Sequence, residues 1–161
     1  VIQMLRIDRR GVEGMPLKLL IVALLVSLSF PCVWQALTYY DATVTVEEAT
    51  RQASEIKAMA ASAYLGGEGN IRTVHVHLRP SITGASPIIE VGGAPGSATC
   101  RTIRIISDHG VACTIPLDDP YLEIFTDTGE QVRLEQGETE LVLRATRTAD
   151  SLAIYAEVRG G

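Results

Sequence analysis

The chain has 161 residues, 47% of them hydrophobic and 20% charged, with a formal charge of −5. That length allows one domain plus an appendage, and the acidic balance argues against a nucleic-acid partner that needs a basic face. Three cysteines are present, none in a CxxC or Cys/His pair of zinc spacing, so a structural metal site has no support and no cofactor is expected.

The first eighteen residues carry Arg6, Arg9, Arg10 and Lys18 against Asp8 and Glu13. Leu19 to Tyr40 then has no charged residue. As a helix these 22 residues span roughly 33 Å, enough for a bilayer. Basic residues precede the segment, and Asp41, Glu47 and Glu48 follow it. The positive-inside rule places the N-terminus in the cytoplasm and everything after Tyr40 outside, a single-pass arrangement. Pro31 is expected to kink or weaken the helix. Cleavage behind the apolar run, as in a secretory signal peptide, fits poorly. No small-x-small site follows it, and a cut after Ala36 would put Trp34 at −3. A lipoprotein cut fits no better, because Phe30 and Pro31 precede Cys32.

Residues 41–67 predict an amphipathic helix. Thr45 and Glu48 form a capping box that marks a helix start. Val46, Ala49, Ala53, Ile56, Ala60 and Ala63 share one face at helical spacing. Gly66 and Gly67 end it. The small apolar stripe suits close packing, either on the chain's own domain or between subunits.

From Ile71 the period changes to two. Val74, Val76 and Leu78 alternate with Thr73, His75 and His77. Further strands are expected at Ile88–Val91, Arg101–Ile106, Val111–Ile115, Tyr121–Thr126, Gln131–Leu134, Thr139–Arg147 and Ser151–Val158. Turn signals such as "GGAPGS", "SDHG", "DTGE" and "EQGE" separate them. Residues 71–161 are therefore predicted to form an antiparallel, immunoglobulin-like β-sandwich, making the whole chain α+β.

Candidate chemistry is sparse. His75 and His77 on one strand face can chelate a metal, with His109 as a third ligand. This reading is set aside because no carboxylate or thiol stands nearby in the sequence at ligand spacing. Asp118 and Asp119 before Pro120 look like turn residues. No nucleophile elbow, phosphate loop or dinucleotide fingerprint occurs, so no enzyme is expected. Cys100 and Cys113 lie in an oxidising compartment under this topology, and a disulfide is the expectation. A regular hairpin at "SDHG" would pair Arg104 with Cys113 and leave Cys100 about 13 Å off register. Either that hairpin is bulged or broken, or both thiols stay free.

"RRG" at Arg9-Arg10-Gly11, followed closely by an apolar helix, resembles the class III signal peptide of type IV pilins, particularly archaeal ones. The order of apolar helix, amphipathic continuation and β-sandwich head resembles the same family. The resemblance implies a cytoplasmic leader, residues 1–11, cut by a prepilin peptidase between Gly11 and Val12, or alternatively between Gly14 and Met15. It also implies that residues 12–40 stay on the mature subunit, first in the cell membrane and then in the core of a surface filament. Partners would be copies of the chain or related pilins and a pilus assembly platform. Pro16 stands at the fifth mature position, where many pilins have glutamate, and Lys18 puts a charge at the mouth of the helix. Leu20, Ala23, Leu24 and Ser27 are the expected helix-packing residues, the small ones permitting close approach. The alternative is a single-pass membrane-anchored binding or accessory module, using the same helix without cleavage. An exported enzyme or metal-binding protein using the three histidines is a third class.

Overall fold

The computed structural model describes residues 9–82, 86–108, 110–117, 122–148 and 151–159, with side chains from residue 16 onward. It divides into two compact units, Val1–Tyr40 and Asp41–Gly161.

Helix α1 (Arg9–Leu65) contributes to both. It is unbroken at Thr45, so the capping box does not mark a start. The buried Thr45 hydroxyl instead donates backwards, to the carbonyls of Asp41 at 3.0 Å and Ala42 at 3.1 Å. Threonine inside a helix satisfies its hydroxyl this way without ending the turn. Pro16 and Pro31 both lie within α1. Pro31 has no N–H to give the carbonyl of Ser27, one turn back. The C-terminus falls at the glycine pair. The Gly66 amide donates to the Ser62 carbonyl and the Gly67 amide to that of Tyr64, both at 3.1 Å. Gly67 takes φ +80°, a left-handed conformation that suits glycine.

The second unit carries eight strands: β1 (Ile71–Leu78), β2 (Ile88–Val91), β3 (Thr102–Ser107), β4 (Gly110–Pro116), β5 (Ile124–Phe125), β6 (Val132–Leu134), β7 (Gly137–Arg147) and β8 (Leu152–Arg159). They form two four-stranded sheets, ordered β1-β7-β8-β5 and β4-β3-β2-β6. The fold is α+β and sandwich-like, as the alternating pattern predicts. One pair departs from the antiparallel expectation: β5 runs parallel to β8, matching Ile124 with Ile154. Tyr121, the expected start of that strand, lies outside the described residues.

Alternation decides which side chains are buried. In β1, Val74, Val76 and Leu78 are buried while Thr73, His75 and His77 are exposed. Leu141, Leu143, Ala145, Ile154 and Ala156 join them from the same sheet. Ile89, Val91, Ile103, Ile105 and Leu134 come from the other. The cluster is completed by Ala49, Ala53, Ile56, Ala60 and Ala63 of α1, all 0% exposed. The alanine stripe therefore packs on the chain's own domain. Small side chains let a helix backbone approach closely and still exclude water, at about 25 cal/mol per Å² of apolar surface buried. A smaller cluster joins Cys100, Phe125 and Ala153, with Tyr155 edge-on to Phe125 at 5.9 Å.

Candidate functional site

The feature that the fold does not consume is the first part of α1. Within residues 16–40 the only charged side chain is Lys18. Large apolar side chains there are exposed on every side; Leu19, Leu20, Ile21 and Val22, at successive 100° steps, are 49–69% exposed. An exposed helix that is hydrophobic all round belongs in lipid or among other helices. From Pro16 the helix is long and apolar enough to cross a membrane.

Three of its hydroxyls bond back to the helix's own carbonyls. The Ser27 hydroxyl donates to the Leu24 carbonyl at 2.9 Å, Ser29 to that of Leu25, and Thr38 to that of Gln35 at 2.9 Å. In an apolar medium an unmade hydrogen bond costs several kcal/mol, so such back-bonding lowers the cost of insertion. Eleven Leu, Ile, Val and Phe side chains lie between Leu19 and Leu37. At about −0.3 to −0.6 kcal/mol each near a bilayer centre, they favour insertion by roughly 3–7 kcal/mol. Leu20, Ala23, Leu24 and Ser27 follow i, i+3, i+4, i+7 spacing and so fall on one face, all exposed. Gly11 and Val12 lie in the opening turns of α1, before the residues whose side chains are described.

Where the second unit begins, Asp41 is 5% exposed. Its Oδ2 accepts from the Ser81 hydroxyl at 2.6 Å and from the Ile82 amide at 2.9 Å. The Arg79 guanidinium stands 4.0 Å from Oδ1. A helix carboxylate thus holds the segment that leaves β1. Sequence reasoning assigned Asp41 only to the acidic flank; its partners lie about forty positions away, and no local signal marks them.

The sheet of β2, β3, β4 and β6 buries one carboxylate. Glu90 is 2% exposed and lies between its cross-strand neighbours Arg104 and Arg133. Arg104 donates to it at 2.7 Å and Arg133 at 3.0 Å. Arg104 also donates to the Gln131 side chain. Charge-assisted pairing offsets the desolvation of Glu90, and the role is structural registry of three strands.

The cysteines are unbridged in the structure. Between Ile105 and Ile106 the β3–β4 pairing is bulged, which sets Cys113 opposite Ile105. Cys100 sits in the 3-10 turn Ala98–Arg101, which precedes β3. It packs in the smaller cluster, whereas Cys113 packs against the main core. The bulge therefore does not bring them together. Burial, with Glu123 nearby, pushes the Cys100 thiol pKa up. Its Sγ lies 2.9 Å from the Ser97 carbonyl.

His75 and His77 share an exposed face, as expected. The sheet register sets them opposite Glu140 and Glu138, carboxylates that sequence spacing did not bring near. His109, Asp118 and Asp119 lie outside the described residues. Searches of protein-family models, curated proteins and solved structures find nothing that matches this chain.

Proposed function

We propose that the chain is a structural subunit of a type IV pilus-like surface filament. A cut between Gly11 and Val12 frees the leader, and the helix beyond it assembles with copies of itself. One observation carries this reading: α1 opens on Arg9-Arg10-Gly11 and from Leu19 to Tyr40 runs uncharged, with exposed apolar side chains on every side, while the core of the second unit is complete without that stretch. The small face of Ala23 and Ser27 supports close helix–helix approach. Removing the leader takes away three arginines and one aspartate and moves the formal charge from −5 to −7. It also removes the cations that hold the precursor N-terminus in the cytoplasm.

Lys18 favours a second reading, a permanent single-pass anchor. A lysine at the mouth of the helix suits the bilayer interface, where its ammonium reaches water. Fractionation of the native cells separates the two. A filament subunit appears in surface filaments that are sheared off and pelleted. An anchored module stays entirely with the membrane, and that result would refute the filament reading.

A further inference from the structure

The pairing of β1 with β7 places two imidazoles against two carboxylates on one exposed face. His75 lies opposite Glu140 and His77 opposite Glu138. Side chains directly opposite in an antiparallel pair have Cβ atoms about 4.5–5.5 Å apart. Same-face neighbours along one strand stand roughly 6.6 Å apart. These side chains line an open depression of about 450 Å³, with Arg159 at its margin.

We propose that this face binds a divalent transition-metal ion of the zinc class, through His75, His77 and Glu138. Ligand atoms about 2.0–2.2 Å from a tetrahedral ion stand roughly 3.4 Å from each other. His77 Nδ1 and Glu138 Oε1 are already 3.7 Å apart. In the structure the groups pair rather than converge: among the described residues no three His, Cys, Asp or Glu groups form a metal-holding set. The strand register carries the inference, and the side chains have room to turn, His77 being 59% and Glu138 88% exposed. Arg159 lies opposite Glu140 on β8 and competes for it, so Glu140 is not assigned as a ligand. Two imidazoles and one carboxylate suit zinc, nickel or copper. Calcium and magnesium require oxygen donors throughout. The site is confined to the β-sheet unit and does not depend on the filament reading.

The test titrates the full chain in detergent with Zn²⁺ against a chromophoric chelator. The expected result is one ion bound per chain and at least tenfold weaker binding in His77→Ala and in Glu138→Gln. His75 and His77 sit on the edge strand β1 and Glu138 on its neighbour β7, all three exposed, and an unchanged circular dichroism spectrum verifies the fold. No uptake of Zn²⁺, or equal uptake by the His75→Ala/His77→Ala double variant, overturns the assignment.

Discussion

Replacing Asp41 with alanine tests how the helix is tied to the β-sheet unit. The substitution deletes a carboxylate that accepts from Ser81 at 2.6 Å and from the Ile82 amide at 2.9 Å. Hydrogen bonds to charged groups contribute about 1.5–3 kcal/mol each. The two would give roughly 3–6 kcal/mol if neither donor regained water. The Ile82 amide is only part-buried, however, and a serine hydroxyl can rotate toward solvent. Arg79, half exposed and 4.0 Å away, adds little. The expected loss is therefore about 2–3 kcal/mol. Asp41→Asn keeps one acceptor oxygen and should lose about half as much. Thermal unfolding of the full chain in detergent, followed by the β-sheet circular dichroism signal, measures both. A loss below about 0.5 kcal/mol for the alanine variant is what an unanchored surface carboxylate would give. That result would refute the clamp.

Leu24→Asp should cost about 3–4 kcal/mol of insertion free energy, half or more of the total worked above. Carbonate extraction of membranes reads this as a shift of the chain to the soluble fraction. Glu90→Ala should cost about 2–4 kcal/mol in the same unfolding assay. It strands the part-buried Arg104, while the largely exposed Arg133 loses little. Glu90→Ala equal to wild type would show that the pairing contributes nothing. Cys100 should resist alkylation in the folded chain and react once it is unfolded, because burial raises its thiol pKa. The sign for stability follows. Below the ordinary thiol pKa both states are protonated and no penalty arises. As pH climbs through that value the unfolded thiol ionises first, so the fold loses stability. Rapid labelling of folded Cys100 at pH 8 would contradict this.

Much of the fold is legible in the residues because alternation and helical spacing are local signals. Ile88–Val91 is a strand with the predicted bounds, and the stripe from Ala49 to Ala63 is buried as its spacing requires. Gly66-Gly67 ends the helix where it should. Thr45 misleads because its hydroxyl has two uses, forward capping and backward bonding, and only the backbone on both sides decides between them. The parallel β5–β8 pair, the burial of Glu90 and the setting of His77 against Glu138 depend on strand register, and the reach of Asp41 to Ser81 on how α1 meets the segment after β1. Register joins positions as far as 73 residues apart, Ile71 with Arg144, and no local pattern encodes it. Cys100 and Cys113 illustrate the same limit: a bulge was foreseeable, but a 3-10 turn assigning the two thiols to separate clusters was not.

The most direct test of the central claim is the N-terminal residue of the chain recovered from the cell surface, read by mass spectrometry of its N-terminal peptide. A filament subunit processed at Gly11 begins at Val12. A surface chain that still carries Arg9 and Arg10 would contradict the account.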